Sequence, residues 1–124
     1  SAQLHFLDSA WKPVGAVTVR EKSQPVPQLN ELEWVRGRLY ANVFQQNRIV
    51  RIQPATGCVT GTLDLTGLAE RAAKAQGRPL DSESVLNGIA YRPDRATFYI
   101  TGKNWPQIFE IRISASDRTR ASLE

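Results

Sequence analysis

A meander that occurs more than once in the chain constrains its fold most strongly. Residues 29–65 ("LNELEWVRGRLYANVFQQNRIVRIQPATGCVTGTLDL") alternate apolar and polar side chains in short stretches that turn residues separate. This pattern predicts four consecutive β-strands. Residues 86–113 begin with the same Leu-Asn pair and follow the same order of strands and turns. Residues 3–19 match the last two strands of the unit, so we predict three copies, of which the first and the third are incomplete.

Repeated meanders of about 40 to 50 residues are typical of β-propeller blades, each of which buries its faces against its neighbours. We therefore predict an all-β chain of about two and a half propeller blades. Residues 1–20 are the end of one blade, 29–65 a full blade, 66–85 a helical insertion and 86–113 the last blade. A single β-sandwich is the alternative, because its turns have a similar spacing. The propeller is favoured because a sandwich has no reason to repeat the Leu-Asn opening.

The insertion "TGLAERAAKAQGRPLDSES" interrupts the strand pattern. Its leucine and alanine residues, mixed with charged ones, predict one or two helical turns that end at Gly77 and lie outside the strands. The last copy shows no pattern for a fourth strand, so we expect the last blade to be one strand short.

An incomplete ring limits what this chain forms by itself. Propellers have at least four blades, and an open blade face leaves apolar surface bare. We therefore expect the chain either to be half of a truncated or nicked protein, whose missing N-terminal half completes the ring, or to assemble with a second copy of itself. The first of these is favoured.

Composition excludes several classes of function. The net charge is +4, but the arginines at 36, 38, 48, 51, 92 and 95 are scattered and form no block, which disfavours nucleic acid as a partner. One cysteine and one histidine assemble neither a Cys/His metal site nor an internal disulfide, and we expect no cofactor. No run of 18 apolar residues is present, so no membrane span is expected.

The repeat also suggests where a site lies, because the innermost strand of each blade lines the central channel and the loops at one mouth form the site. Asn30 and Asn87 begin the innermost strands, so both should approach the same mouth from adjacent blades. The alternative for Asn87 is that it only turns the chain into the strand. Glu31 and Glu33 add two carboxylates next to Asn30.

A second matched position follows the second strand of each blade. In one copy Phe44 precedes Gln45 and Gln46, which suits a small polar ligand that needs an apolar wall, although Phe44 as a core residue is the alternative. In the next copy the equivalent segment contains Lys103 and Trp105. Lys103 is either a solvated loop charge or a site residue. The flanking Gly and Trp-Pro favour a loop held in one geometry.

Together, "LNELEWVRGRLYANVFQQNRIVRIQPATG", "VLNGIAY" and "TGKNWPQIFEIR" resemble the plant and bacterial type of glutaminyl-peptide cyclotransferase (glutamine cyclotransferase). The resemblance spans most of residues 3–113. It implies a five-bladed propeller of which this chain is the C-terminal half. The implied enzyme acts without a metal on a peptide with an N-terminal glutamine, forming pyroglutamate and releasing ammonia. Relatives are commonly exported, so a periplasmic or secreted location is implied as well.

The resemblance extends to individual positions. The family's asparagine in "LNE" falls on Asn30, and its lysine in the "TGK" that precedes "WP" falls on Lys103. Phe44 stands where the family usually has tryptophan, and the loss of an indole N–H is expected to alter affinity or substrate preference. The family's essential glutamate, the expected general acid/base, belongs to the N-terminal half and has no counterpart here. Glu31 and Glu33 match family positions of less certain role.

For the cyclisation we expect Lys103 to stabilise developing negative charge or to tune the missing glutamate, and Asn30 to fix the carboxamide or the amine. Without that glutamate the chain alone should be inactive. The alternatives are a non-catalytic propeller that binds or scaffolds, and a self-assembled half-propeller. The predicted site residues are catalytic Lys103 and Asn30, and substrate-binding Phe44, Trp105, Glu31 and Asn87.

Overall fold

The computed structural model describes residues 1–113 and 121–123. Over this part of the chain it contains twelve strands and one helix, so the all-β prediction is confirmed. In chain order the elements are β1 Gln3–Leu7, β2 Pro13–Thr18, β3 Arg20–Glu21, β4 Gln24–Pro25, β5 Leu29–Val35, β6 Arg38–Val43, β7 Arg48–Ile52, β8 Val59–Asp64, α1 Thr66–Gln76, β9 Leu86–Arg92, β10 Thr97–Gly102, β11 Phe109–Ile113 and β12 Ala121–Leu123.

The strands form two four-stranded meanders and two short hairpins. We call β1 and β2 the N-terminal hairpin, β5 to β8 the central sheet and β9 to β12 the C-terminal sheet. All pairs of neighbouring strands are antiparallel. The Arg36-Gly37 turn between β5 and β6 has both φ angles positive, at 49° and 80°. Such a turn matches the twist of the two strands it joins.

The fourth strand of the C-terminal sheet corrects the sequence prediction. β12 pairs with β11 through Arg112 opposite Ser122 and Ile113 opposite Ala121, so the last copy is not one strand short. A three-residue strand is too short to produce an alternating pattern, which is why the sequence did not indicate it.

The insertion helix is longer and less peripheral than predicted. It runs over eleven residues and ends, as expected, at Gly77, whose φ of 77° is left-handed. Its buried residues are Leu68, Ala69 and Ala72, and they join the core next to the C-terminal sheet. Their spacing of one, three and four residues places them on one helical face. The helix therefore packs onto the sheets rather than lying outside them.

Both faces of the central sheet are covered. One face packs against the N-terminal part of the chain, and the other packs against the C-terminal sheet and α1. The first cluster comprises Leu39, Ala41, Val43, Val50 and Ile52 with Leu4, Val19 and Val26. The second comprises Val35, Ile49, Leu63 and Leu65 with residues of α1 and of the C-terminal sheet, among them Leu86, Phe98, Ile100, Trp105, Phe109 and Ile111.

One part of β5 departs from this pattern. Leu32 and Trp34 lie in a strand as predicted, but both side chains are exposed. They share a face with Leu39. The N-terminal residues that pack on this face contact β6 and β7 but do not extend over this part of β5. Within the described residues, no helix has the length and apolar character needed to cross a membrane.

Candidate functional site

The first strands of the two sheets contain matching β-bulges near their starts. In each strand one extra residue interrupts the pairing with the second strand. Bulges kink a strand and redirect its side chains, and they are frequent next to functional sites. The bulges fall at Asn30-Glu31 and at Asn87-Gly88, as the pairs Leu29–Val43, Leu32–Ala41, Leu86–Gly102 and Ile89–Ile100 show.

The structure brings the two repeated asparagines together. Asn30 Nδ2 donates a hydrogen bond of 2.8 Å to Asn87 Oδ1, although the residues are 57 positions apart. This contact places the starts of β5 and β9 side by side. The predicted approach of both residues to one end of the two sheets is therefore observed, and their roles in a reaction stay predictions.

Asn42 fixes this arrangement and was missed by the sequence analysis. Its side chain is only 1% exposed. Its Oδ1 accepts a hydrogen bond of 2.7 Å from the Glu31 N–H, and its Nδ2 donates one of 3.0 Å to the Leu86 carbonyl oxygen. Asn42 thus joins the bulge of the central sheet to the first residue of β9. The available signal was a single amide inside the otherwise apolar stretch "LYANV".

Phe44 and Lys103 occupy equivalent positions. The Phe44 N–H donates to the Gln28 carbonyl oxygen at 2.8 Å, and the Lys103 N–H donates to the Val85 carbonyl oxygen at 2.9 Å. The residue after each has a positive φ, 66° at Gln45 and 61° at Asn104. Since Val43 and Gly102 lie opposite Leu29 and Leu86, both loops leave their sheets beside the asparagines.

Lys103 has an acidic neighbour that the sequence analysis also missed. Its Nζ lies 3.1 Å from Glu83 Oε2, and both side chains are exposed. Asp81 organises the segment that carries Glu83, because its carboxylate accepts hydrogen bonds from the Ser84 hydroxyl at 2.8 Å and from the Glu83 and Ser84 amides. The Ser84 hydroxyl is the main reason that the pKa of Asp81 lies below its ordinary value.

Trp105 is buried beneath the loop that carries Lys103. It is 9% exposed, its ring packs edge-on against Phe109 at 6.2 Å, and its Nε1–H donates to the Ser84 carbonyl oxygen at 2.8 Å. Its indole also packs on Gly102, where a Cβ atom would collide with the ring. Trp105 therefore holds the Lys103 loop against the core, in agreement with the expected fixed loop geometry, and its substrate-binding role stays a prediction.

The remaining predicted residues differ in how far they belong to the site. Phe44 is partly exposed at the same end of the sheets as Asn30. Glu31 lies in the bulge with an exposed side chain. Glu33 lies opposite Tyr40, further along β5 and away from that end.

A cavity of about 390 Å³ lies beside these residues. It is open, and amide, hydroxyl and carboxylate groups line it together with the apolar side chains of Ala69, Leu80 and Val85, which suits a small ligand with polar and apolar parts. Among residues 1–113 and 121–123 no group of three or more His, Cys, Asp or Glu side chains is placed to hold a metal ion. The lining of the cavity includes Gln45, Asn47, Asp81, Ser82, Ser84 and Val85.

The chain is similar in sequence and structure to known proteins. A family model described as glutamine cyclotransferase matches residues 1–113. A glutaminyl-peptide cyclotransferase of Arabidopsis thaliana is 38% identical over 95 residues, which are 77% of this chain and 29% of that protein. The crystal structure of Myxococcus xanthus glutaminyl cyclase is similar with a TM-score of 0.83 and 36% identity. The match covers 99% of this chain and 49% of that one, so the chain spans half or less of these relatives.

Proposed function

The chain belongs to the glutamine cyclotransferase family, and from this membership we propose that it is part of a glutaminyl-peptide cyclotransferase. The enzyme converts an N-terminal glutamine of a peptide to pyroglutamate and releases ammonia. One observation supports the proposal beyond family membership: the bond between Asn30 and Asn87 sets both asparagines at the sheet end from which the Phe44 and Lys103 loops emerge.

The proposed fold is a five-bladed propeller to which this chain contributes about two and a half blades. Residues 1–20 end one blade, 29–65 form a complete blade, 66–85 are the insertion, and the last blade starts at residue 86. Two meanders that pack face to face, with their first strands adjacent, support this arrangement. The remaining blades come from an N-terminal half, as the 49% coverage of the Myxococcus structure suggests, or from a second copy. An exported location is also proposed, on family resemblance alone.

The reaction forms a bond between the α-amine nitrogen and the side-chain carboxamide carbon, and breaks the bond from that carbon to its nitrogen. The substrate itself supplies proximity, because both groups belong to one residue. What remains is to stabilise the oxyanion of the tetrahedral intermediate and to move protons from the attacking amine to the departing ammonia.

Lys103 suits the first task because its loop is anchored and its ammonium group, which pairs with Glu83 in this structure, lies on the exposed surface. Asn30 orients the carboxamide or the amine with the Oδ1 acceptor that its bond to Asn87 leaves available. Phe44 contacts the aliphatic chain of the substrate. The general acid/base glutamate is supplied by the N-terminal half, so residues 1–124 alone are inactive.

Replacement of the proposed charge-stabilising group tests this function. In the complete protein, Lys103→Ala should lower turnover by about a hundredfold or more, the usual cost of removing one stabilising group of this kind. Ammonia release from a glutaminyl dipeptide measures turnover, and circular dichroism verifies folding. Lys74→Ala, which removes an exposed lysine of α1, is the matched control and should retain activity.

Two outcomes separate the alternatives. Activity of the Lys103→Ala variant within a fewfold of the parent would contradict the role of Lys103. No ammonia release from the folded parent protein would instead favour a non-catalytic propeller that binds or scaffolds. Light scattering on the 13.9 kDa chain shows whether it assembles with a second copy.

A further inference from the structure

A second cavity, of about 510 Å³, lies between the central and C-terminal sheets. It opens near the Arg36-Gly37 turn, where β5 ends, whereas the candidate site lies where β5 begins. A strand of seven residues separates the two places by roughly 20 Å. We propose that this cavity binds a small organic oxyanion, whose carboxylate or phosphate contacts three arginines and whose flat apolar part lies on aromatic rings. The arginines are Arg36, Arg38 and Arg51, and the rings are Tyr40, Tyr91 and Phe98.

The fold gathers arginines that are dispersed in the sequence. Tyr40 lies opposite Arg51 in the ladder, so both side chains point to the same face of the central sheet. Arg38 lies two residues from Tyr40 along β6 and therefore shares that face. Arg36 enters from the turn that joins β5 to β6.

None of the three guanidinium groups is neutralised by a carboxylate among residues 1–113. By contrast, Arg48 and Arg92 pair with Glu21 and Asp94 at 3.0 and 2.9 Å. Within the described part of the chain, the Arg38 side chain donates only to the neighbouring Gly37 carbonyl oxygen, at 3.3 Å. Glu33, which lies opposite Tyr40, forms no ion pair with the cluster. Three positive charges around one cavity repel one another, and a bound anion relieves that repulsion.

Arg51 is held in position for such a ligand. Its Nε donates to Thr60 Oγ1 and its Nη2 donates to the Thr60 carbonyl oxygen, both at 3.0 Å. These bonds use two of the five N–H groups of the guanidinium and fix its plane. The others remain available for the paired contacts that guanidinium groups make with carboxylate or phosphate oxygens.

The aromatic side chains complete the cavity. The Phe98 ring lies between Tyr40 and Tyr91, with centroid distances of 4.9 and 5.0 Å. Phe98 itself is only 4% exposed, so a flat apolar ligand group packs on the partly buried rings of Tyr40 and Tyr91. The volume lies within the range of pockets for small organic molecules. A small anion with an aromatic or planar body fits these features, and its site shares no residue with the proposed cyclotransferase site, so the two proposals stand independently.

Titration calorimetry of the complete protein tests the ligand class. The probes are phenyl phosphate and benzoate, which carry both an oxyanion and a ring, inorganic phosphate, which carries only the anion, and phenol, which carries only the ring. We expect phenyl phosphate or benzoate to bind more tightly than inorganic phosphate, and phenol to bind least. Whichever of phenyl phosphate and benzoate binds more tightly identifies the preferred oxyanion as phosphate or carboxylate. Failure of both to bind, or equal binding of inorganic phosphate, would overturn the proposal.

A variant locates the binding. Arg36→Gln combined with Arg38→Gln should weaken binding of the preferred probe by about tenfold or more, because charge-assisted hydrogen bonds are lost. Arg20→Gln, an exposed arginine on β3, is the control and should change it less than about twofold. Equal weakening by the control would show that only net charge matters and would contradict the site. If the double variant does not fold, a crystal of the parent protein soaked with the same probe decides, since density elsewhere than in this cavity would overturn the proposal.

Discussion

The central and C-terminal sheets have the same strand order, but their second faces differ. In each sheet, the first face packs against the part of the chain that precedes the sheet, and this face is apolar. Leu39 and Ile52 of the central sheet match Phe98 and Ile111 of the C-terminal sheet on this face. The opposite face of the central sheet is packed, whereas that of the C-terminal sheet carries Tyr99 and polar side chains such as Arg92 and Glu110.

The difference shows that the same meander can have either a packed or a polar second face, if only the side chains on that face differ. Tyr40 and Tyr99 are equivalent, yet Tyr40 packs on Phe98 while the Tyr99 hydroxyl accepts a hydrogen bond of 2.9 Å from Arg92. The backbone hydrogen bonds between the strands stay the same in both sheets, because side chains alternate between the two faces and only those on one face differ. Whether a residue of the repeat is buried therefore depends on which element packs against its sheet, and not on its position in the repeat.

The strongest test compares two isoleucines at the same place in the repeat. Ile49 is completely buried, and its equivalent Ile108 is 70% exposed. Ile49→Ala should lower the free energy of unfolding by about 2–5 kcal/mol, because it leaves a cavity between the sheets. In residues 1–124 alone, Ile108→Ala should change it by no more than about 0.5 kcal/mol. Urea unfolding of this chain measures both variants. In the complete protein the loss for Ile108→Ala should be larger, because the proposed neighbouring blade covers this face, and an equally small loss there would contradict closure of the ring.

A second pair compares the polar residues that end the second strands. Asn42 bridges the two sheets, whereas its equivalent Thr101 makes a local bond of 2.9 Å to the Gln107 carbonyl oxygen. Asn42→Ala should cost about 2–4 kcal/mol of unfolding free energy, since it removes the partners of a part-buried N–H and of a buried carbonyl oxygen. Thr101→Ala should cost about 1 kcal/mol or less. Thermal unfolding measures both losses, and similar values would contradict the role of Asn42 in joining the two sheets.

A third test addresses the loop between β10 and β11, which is longer than the equivalent loop between β6 and β7. Gly102→Ala introduces a methyl group where the Trp105 ring lies, so it should destabilise the protein by about 1–3 kcal/mol and shift the tryptophan fluorescence. Gly67→Ala in α1 is the control, because a Cβ atom there meets nothing within 4 Å. An unchanged emission spectrum in Gly102→Ala would contradict the role of Trp105 as the anchor of the Lys103 loop.

The smallest effect concerns pH and the segment that carries Glu83. Because the folded-state pKa of Asp81 lies below its ordinary value, the stabilisation it provides is fully present above about pH 4 and is lost as the pH falls through the lowered folded value. The amide resonances of Glu83 and Ser84 should therefore shift only in acid. Asp81→Asn should remove this titration, and a midpoint above pH 4 in the parent protein would contradict the assignment.

Much of the fold was predictable from the sequence, because alternation and turn residues act locally. The strands of both meanders, the Arg36-Gly37 turn and the helix end at Gly77 follow from such patterns. The short β12 and the burial of α1 depend on contacts with distant residues, and no local pattern indicates them. The same limit applies to the site: the repeat predicted that Asn30 and Asn87 would approach the same mouth, but not the bond between them, the link through Asn42 or the pairing of Lys103 with Glu83.

The hydrogen bond between Asn30 and Asn87 has an evolutionary consequence. A primary amide carries a donor and an acceptor, so two copies of the same residue are complementary without any further change. Duplication of a segment that carries this asparagine would therefore bring the contact between the two copies with it, and no second substitution would be required.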